Sequence, residues 1–494
     1  MTTINTNIGA IAAQANMAKV TDDFNTAMTR LSSGLRINGA KDDAAGMAIA
    51  EKMTAQVMGI NQAIRNASDG KNLLDTTESA HVEVSNMLQR MRELAVQSAN
   101  DTNTGSDRGN ITAEARQLVA EINRIAENTT FNGMKVMDGS FTGKQFQIGA
   151  DLGQTLNISI DSAAATDIGA YKAKSEVSIA AAGGVTTGKQ LVISGHAGNA
   201  EITTTADMSA KELAAEVNAL SAQTGVQATA VSKAKLSGLS DVGKITFKVN
   251  GSDIGTVAIS NTSDLRSLRD AINTKTTSTG VTASMGADNS EIILTDSTGK
   301  NIEITDYAAA DSGSATEATM DVTGLNTDGT EDATPDTLTL DNTDNDATVT
   351  GQVTFTSTQT FSVNSAAIDG AATPPETGFF SDTANAATLE SVADVDLSTA
   401  EASAEAITVI DVALQKISQA RGSLGAMSNR LDSTISNLTN ISVSVQAAKS
   451  QVVDADFAKE STNLARGQIL SQAATAMLAQ ANSSKQNVLS LLRG

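Results

Sequence analysis

The two ends of this chain share an apolar spacing that its middle lacks. In residues 1–130 and 400–494, apolar positions recur at intervals of 3 and 4, and no proline occurs. Such spacing averages 3.5 residues, which is the period of paired helices. The stretch between them is rich in Thr, Asp, Gly and Ala and holds all three prolines. A helical element divided between both termini cannot be completed by local folding, so the pattern indicates assembly rather than catalysis.

The terminal stripes predict two helical arms, residues 1–42 and 451–494, that pair with each other. One face of an ordinary helical bundle shows a similar stripe. Two matched arms at opposite ends of the chain nevertheless favour pairing between the ends. The apolar positions expected to form the common core of these arms are Ile4, Ile8, Ile11, Leu470, Met477, Val488 and Leu491.

Further helices with the same spacing are predicted next to the arms. Asp42 and Asp43 can cap the start of one of them, because a carboxylate accepts from free backbone N–H groups there. A longer helix should end near Asn100, where the turn of residues 101–105 breaks it. The pair Asn132-Gly133 predicts a tight turn and a hairpin. The apolar residues expected to pack these helices are Met87, Met91, Leu94, Leu118, Ile122, Leu424 and Leu431.

The middle of the chain contains an internal repeat with an offset of 55 residues. Each copy predicts a strand, a short helix and a strand, so residues 176–310 should form two small α+β modules. Residues 311–392 alternate apolar and polar residues and predict a separate acidic, β-rich domain. The predicted fold class is therefore α+β and multidomain, with an all-α coiled-coil or helical-bundle core formed by both termini. The matched positions are Leu213, Val217, Asn218, Thr224, Gly225 and Val226 with Leu268, Ile272, Asn273, Thr279, Gly280 and Val281.

Charge and segment composition argue against several classes of protein. The net charge of −22 disfavours nucleic acid as a partner, since phosphates require a basic patch. Residues 301–400 hold 18 Asp and Glu and no Lys or Arg, which is typical of a solvated outer surface. No run approaches the roughly 20 apolar residues of a membrane span. The N-terminus lacks the basic and apolar regions of a signal peptide, so we expect either a cytoplasmic chain or export without a cleaved signal.

No catalytic, cofactor or metal site is predicted. The chain has no Cys, and its two histidines, His81 and His196, are isolated in sequence and expected at the surface. Residues 341–346 offer carboxylate oxygens to a hard cation but lack the spacing of a calcium loop, which favours a solvated turn. We therefore expect a protein without enzyme activity and without a cofactor.

Short segments at both ends are specific enough to indicate a protein family. The N-terminal segments are LSSGLRIN at 31–38, KDDAAGMAIA at 41–50, RELAVQ at 92–97, FNG at 131–133 and FQIGA at 146–150. The C-terminal segments are DVDLSTA at 394–400, LGA at 424–426 and the tail of residues 481–494. These segments resemble bacterial flagellins. The resemblance covers residues 1–170 and 393–494, and the repeat resembles the insert module of some flagellins.

The resemblance implies a structural subunit that polymerises into the extracellular filament used for swimming. In the family, the terminal arms pair and line the filament channel. Residues 43–175 with 393–450 would form the filament wall, and the central insert would project outwards. The implied partners are identical subunits, an export chaperone, and the cap and junction proteins of the flagellum.

The resemblance also implies recognition of released monomer by a cell-surface Toll-like receptor. Met91 and Leu94 lie on the apolar stripe, so we expect packing within the filament to be their first role and receptor recognition to be a second use of that surface. The positions that match the family's receptor site are Gln89, Arg90, Glu93, Leu94 and Glu114.

Two alternative functions stay open on the sequence alone. A hook–filament junction protein has similar termini, although the segments at 41–50 and 92–100 favour flagellin. A filament subunit whose acidic insert also acts as an adhesin is the second alternative. An insert with zinc protease activity is untenable, because the two histidines are isolated.

The arms are expected to be poorly ordered in a dilute monomer. Ordering about 20 backbone residues costs on the order of 20–40 kcal/mol, and burying three Ile side chains at about 1.5–3 kcal/mol each recovers much less. Residues 1–20 and 455–494 should therefore exchange amide protons fast in the monomer and slowly after assembly. Hydrogen exchange read by mass spectrometry tests this, and strong protection at both ends of the dilute monomer would contradict it.

Overall fold

The protein, seen in a computed structural model, has long helices at both ends and a strand-rich middle, so the predicted α+β class is confirmed. Ile4 lies outside the described residues, as do the side chains of Val488 and Leu491. The structure describes residues 6–177, 179–180, 189–205, 207–286, 288–310, 318–331, 337–341, 343–367, 379 and 385–493.

The helices of the described chain fall into long terminal elements and short central ones. They are α1 (Ile8–Ser33), α2 (Ala44–Ser98), α3 (Gly105–Asn128), α4 (Ala210–Ala219), α5 (Ser221–Thr224), α6 (Arg266–Asn273), α7 (Thr276–Thr279), α8 (Ala400–Val453) and α9 (Phe457–Arg493). None of these helices is both long and apolar enough to cross a membrane.

Side chains satisfy backbone donors at the helix starts, where four N–H groups have no partner within the helix. Asp43 Oδ1 accepts from the backbone N–H of Gly46 at 2.9 Å, as predicted for the start of α2. Thr104 and Asp107 form a reciprocal capping box at the start of α3. The predicted end of the long helix is confirmed, since α2 stops at Ser98.

The strands pair antiparallel throughout the described sheets. They are β1 (Thr130–Phe131), β2 (Met134–Lys135), β3 (Lys144–Gln147), β4 (Thr155–Ile158), β5 (Gly169–Lys174), β6 (Ile179–Ala180), β7 (Lys189–Ser194), β8 (Asn199–Thr203), β9 (Gln227–Ser237), β10 (Gly243–Val249), β11 (Ser252–Asp253), β12 (Val257–Ile259), β13 (Thr282–Met285), β14 (Ile292–Asp296), β15 (Ile302–Ala310), β16 (Met320–Leu325), β17 (Thr337–Leu340), β18 (Ala347–Val349), β19 (Gln352–Ser357), β20 (Ser362–Ala367), β21 (Asn385–Ala386) and β22 (Thr388–Ser391).

One compact unit comprises residues 1–75, 143–159 and 425–494. Its helices α1 and α9 pack together, and the hairpin β3–β4 lies against the first part of α2. Asn66 Nδ2 donates to the carbonyl of Gln147 at 2.9 Å and so ties this hairpin to α2. An ion pair between Lys71 and Asp432, 2.7 Å long, joins α2 to α8 in the same unit.

The second unit comprises residues 76–142 and 160–424 and contains the rest of the helical layer and all the central sheets. An eight-stranded sheet has the order β13-β14-β9-β19-β5-β22, with β16 beside β9 and β17 beside β16. A six-stranded sheet has the order β11-β10-β15-β18-β6, with β12 beside β10. A four-stranded sheet has the order β21-β20-β7-β8.

The predicted division between residues 310 and 311 does not separate two sheet systems. Strand β9 of the first repeat pairs with β16 and β19, and β7 pairs with β20. Strand β15 pairs with β18 in the second repeat's sheet. The repeats expose strand edges and apolar faces that their own strands do not cover, so strands from residues 318–367 complete both cores.

The predicted repeat is confirmed, and its matched residues occupy matched places. Leu213 and Leu268 are both fully buried under their modules, as are Val217 and Ile272 at the next turn. Asn218 bonds both backbone groups of Ala228 at 2.8 Å. Ten residues separate these partners, and the second module repeats the arrangement with Asn273 and Ala283, again at 2.8 Å. The repeat therefore conserves a side chain that bridges helix and closing strand.

Two predicted turns form as expected. Asn132 and Gly133 both have positive φ, 49° and 78°, and connect β1 to β2 in a tight hairpin. At residues 341–346, Asp341 Oδ1 accepts from the backbone N–H groups of Thr343 and Asp344 at 2.6 and 2.7 Å. That carboxylate oxygen is therefore engaged within its own turn.

Candidate functional site

The paired ends of the chain form the candidate assembly surface. Asn7 Nδ2, at the start of α1, donates to the carbonyl of Ala481 at 3.4 Å, 474 positions away in sequence. At the other end of α1, Arg30 pairs with the buried Glu460 at 3.3 Å, 430 positions away. The start of α1 thus meets the later part of α9, and the two helices are antiparallel. Both ends of the chain are required to build this surface.

The apolar positions predicted for the core of the arms are open in the single chain. Ile8 is 66% exposed and Ile11 56% exposed on α1, while Leu470 is 46% and Met477 65% exposed on α9. Within α1, only Ala27 belongs to the buried residues. The two helices therefore cover one side of each other and leave apolar stripes available to further partners.

The apolar residues predicted to pack the helices next to the arms lie mainly inside the subunit. These side chains fill the helical layers of the two units, so they build the subunit's own core rather than an open surface. Met91, Leu94, Ile122, Leu424 and Leu431 are buried, and Met87 and Leu118 are half-buried.

The predicted receptor contacts lie together on α2 and α3, with one exception. Arg90 forms ion pairs with Glu93 at 2.9 Å and with Glu114 at 2.8 Å, and all three side chains are at least about half exposed. Hydrogen bonds to these two carboxylates raise the pKa of Arg90. Gln89 is exposed beside them. The exception is Leu94, which is 1% exposed, and this burial favours its predicted role in packing over a receptor contact.

His81 contradicts its predicted surface position. The side chain is 1% exposed on α2, and neither ring nitrogen has a hydrogen-bond partner in the described structure. Burial lowers the pKa of His81 to about 4, against an opposing effect of the Glu78 carboxylate. Arg421 of α8 donates to Glu78 at 2.9 Å in the same region. The other histidine, His196, is exposed as predicted.

No set of three or more His, Cys, Asp or Glu side chains in the described part of the chain is arranged to hold a metal ion. The sequence missed the burial of His81 because one polar residue on a helix carries no sign of its depth. Thr77, four residues earlier, is also fully buried and lies on the same face of α2 as His81. This spacing predicts the burial of His81 only once it is known which face of α2 points inward.

Comparison with family models finds flagellin sequences at both ends and in the middle. Residues 4–142 match the model of the bacterial flagellin N-terminal helical region, and residues 407–492 match that of the C-terminal helical region. Residues 190–240 and 244–298 each match the flagellin hook IN motif. The two motif matches coincide with the two modules of the repeat.

Comparison with individual proteins finds relatives over the whole chain. The chain is 38% identical over 500 residues to B-type flagellin of Pseudomonas aeruginosa and 35% identical over 530 residues to a flagellin of Salmonella choleraesuis. Each alignment covers 99% of both chains. Among solved structures, FliC from Burkholderia pseudomallei is similar with a TM-score of 0.28 and 19% identity, over 73% of this chain and 99% of that one.

The buried imidazole predicts a specific pH dependence of stability. The unfolded chain binds a proton at His81 near pH 6.5, whereas the folded chain excludes it until about pH 4, so folded stability falls as pH drops through this window. Between pH 6.5 and pH 5, the free energy of unfolding of a His81→Leu variant should fall by roughly 1.5 kcal/mol less than that of the wild type.

Urea unfolding monitored by circular dichroism at both pH values measures this difference. A His196→Leu variant, changed at the exposed histidine, is the matched control. Equal losses of stability in the wild type and in His81→Leu would contradict the expectation.

Proposed function

This chain belongs to the bacterial flagellin family and is a structural subunit of the flagellar filament, an extracellular appendage, and we propose that it polymerises through its paired helices α1 and α9. The observation that carries the proposal is the exposure of large apolar side chains on both helices. Ile8, Ile11 and Met477 each leave more than half of their surface in water. Burying such a side chain is worth about 1.5–3 kcal/mol, which is available only when another copy covers it.

The order of the layers is part of the same proposal. Residues 1–42 with 451–494 would lie innermost, around the filament channel, and residues 43–175 with 393–450 would form the wall. The insert would lie outermost, because residues 301–400 carry 18 acidic and no basic side chains. A surface with that charge is stable where water and ions can screen it. The resemblance to flagellins also supports an export chaperone, a cap complex and junction proteins as further partners.

A filament subunit is favoured over a junction protein. The relatives that align over 99% of the chain are flagellins, and both family models of the helical ends are flagellin models. Members of this family are structural proteins, which agrees with the absence of a recognised catalytic motif in the sequence.

Placing a charge in the exposed stripe should prevent polymerisation without unfolding the subunit. In an Ile11→Glu variant, assembly would have to bury an unpaired carboxylate, which is costly in an apolar contact. We expect the critical concentration for polymerisation to rise by about tenfold or more. Sedimentation of filaments grown from wild-type seeds gives this concentration.

An Asn16→Glu variant is the matched control for the added charge. Asn16 is exposed on α1. Its side chain is rotated about 140° around the helix from that of Ile11, since five residues at 3.6 per turn correspond to about 1.4 turns. Its critical concentration should stay within about twofold of the wild type. An Ile11→Glu chain that seeds and grows like the wild type would exclude the exposed stripe as the polymerisation surface.

We also propose that released monomer presents Gln89, Arg90, Glu93 and Glu114 to a host Toll-like receptor. These four side chains are exposed on neighbouring faces of α2 and α3. Arg90 holds both carboxylates in a fixed arrangement through its planar guanidinium, which suits a specific polar contact. Leu94 is left out of this surface because it is buried.

Removing the guanidinium should weaken receptor activation. An Arg90→Ala monomer should need about tenfold more protein for half-maximal signalling in a receptor reporter cell. Arg92→Ala is the matched control, since Arg92 is two residues away, is 46% exposed and pairs with Asp411 instead. Equal activation by the Arg90→Ala and wild-type monomers would remove Arg90 from the receptor site.

A further inference from the structure

Helices α1 and α9 face each other along one row of positions on each helix, which we call the seam. These positions are buried or half-buried, recur at intervals of 3 and 4, and include several small residues. The seam is distinct from the exposed apolar stripes that carry Ile8, Ile11 and Met477. On α1 the seam consists of Asn7, Ala10, Ala13, Met17, Val20, Phe24, Ala27 and Arg30, and on α9 it consists of Glu460, Leu464, Gly467, Ser471, Ala474, Leu478 and Ala481.

The spacing of the seam does not by itself select one register of pairing. Because intervals of 3 and 4 repeat every seven residues, sliding α9 by one repeat along α1 brings a seam residue opposite a seam residue again. Such a slide covers about 10 Å at a rise of about 1.5 Å per residue. The alanines of α1 would meet small residues such as Ala474 or Ala481 in several registers. Residues that break this repeat of small side chains must therefore decide between the registers.

Gly467 and Phe24 form the first contact of this kind. A Cβ atom added at Gly467 would lie 3.3 Å from the Cβ of Phe24 and 3.5 Å from its Cα, so the missing side chain lets the two helices approach closely. Gly is unfavourable inside a helix relative to Ala, and the close approach offsets that disadvantage. Sliding α9 by one repeat would bring either Ala474 or Glu460 against Phe24. The first adds a methyl group to a tight contact, and the second places a carboxylate against an aromatic ring.

Arg30 and Glu460 form the second contact. Arg30 Nη1 lies 3.3 Å from Glu460 Oε1, and the Glu460 side chain is 8% exposed. Asn463 Nδ2 donates to the other carboxylate oxygen at 3.4 Å. A buried carboxylate that loses its charged partner is strongly unfavourable. Sliding by one repeat would put Glu460 opposite Phe24 in one direction and beyond Ser33, where α1 ends, in the other. Both contacts therefore specify the same register.

We propose that the Gly467 contact and the Glu460 ion pair select the single register in which α1 pairs with α9, a role that rests on the proposed polymerisation through these helices. The residues of both contacts lie in the seam rather than on the exposed stripes, so they act by positioning α1 on α9.

The register sets the level of the exposed apolar residues along the helix pair. Asn7 Nδ2 lies 3.5 Å from Asn482 Oδ1. Ile11 and Met477 therefore lie at nearly the same level, within about one residue's rise of 1.5 Å. A slide by one repeat would move them apart by about 10 Å. Identical subunits pack in one repeating arrangement only if all of them present the same surface, so a chain in another register would not fit its neighbours.

Engineered cysteine pairs report the register, because the chain has no Cys of its own. Asn7→Cys with Asn482→Cys is the native pair, which an oxidant should join, since these side chains are in contact. Asn7→Cys with Thr475→Cys, and Gln14→Cys with Asn482→Cys, are slipped pairs that come together only after a slide by one repeat in one direction or the other. Each chain is added as a minor component to wild-type subunits growing on wild-type seeds, so that disulfides form within one chain. Altered migration of the looped chain in a denaturing gel gives the yield.

Enlarging the side chain at position 467 should disturb the native register. In chains that carry the native pair, Gly467→Leu should lower the disulfide yield by about fivefold or more, or exclude the chain from the filament. Adding Phe24→Ala moves the bulky side chain from α1 to α9 and should restore incorporation and yield to within about twofold of the wild type. Gly467→Ala, which adds one methyl group, is the conservative control and should stay within about threefold.

Reversing the charges tests the second contact in the same way. Glu460→Arg alone places two like charges together in the seam and should reduce incorporation by about tenfold or more. The double variant Arg30→Glu with Glu460→Arg restores an opposite pair and should recover most of that loss.

Three results would overturn the proposal. They are an unchanged yield of the native pair in Gly467→Leu, a loss in that variant that Phe24→Ala does not restore, and slipped pairs that join as readily as the native pair in an otherwise wild-type chain. These outcomes are separable from the test of the polymerisation surface. An Ile11→Glu chain that grows like the wild type removes that surface, whereas the disulfide yields still report the register in which α1 and α9 pair.

Discussion

The pairing of α1 with α9 is the contact that joins the two ends of the chain, and assembly depends on it. It joins residues that are 430 to 474 positions apart, so the intervening chain must bring its two ends together before the pairing can form. Closing so long a loop is entropically unfavourable, although the cost grows slowly with length. The central insert is therefore constrained to begin and end in the same place. It does so through β5 and β22, which pair from Gly169 with Ser391 to Lys172 with Thr388.

Much of this architecture could be predicted from the sequence, because its signals are local and periodic. The spacing of 3 and 4 places α1, α2, α3, α8 and α9, and Asn132-Gly133 specifies a hairpin turn through its positive φ values. The repeat is equally readable, since Asn218 and Asn273 bond the same backbone groups in both copies. In each case the evidence for an element lies within the element or its neighbour.

The features that could not be predicted depend on partners far away in sequence. Strand β9 has no local sign that β16 and β19, separated from it by about one hundred residues, complete its sheet. The expected boundary at residue 310 failed for that reason, as composition changes there while strand pairing crosses it. His81 failed in a related way, because the depth of a helix face depends on what packs against it rather than on the helix.

Apolar residues at the same spacing of 3 and 4 are buried in some helices of this chain and exposed in others. Which of the two occurs depends on where the helix lies in the fold. Met91 and Ile122 follow the spacing of 3 and 4 and are completely buried, whereas Ile11 and Met477 follow it and are more than half exposed. In the second unit, helices α2, α3 and α8 supply partners for one another, so the apolar faces are consumed in folding. At the ends α1 and α9 pack on each other, and this contact leaves Ile8, Ile11 and Met477 more than half exposed. A subunit that buried these stripes itself would be more stable alone, and it would have no apolar surface left with which to assemble.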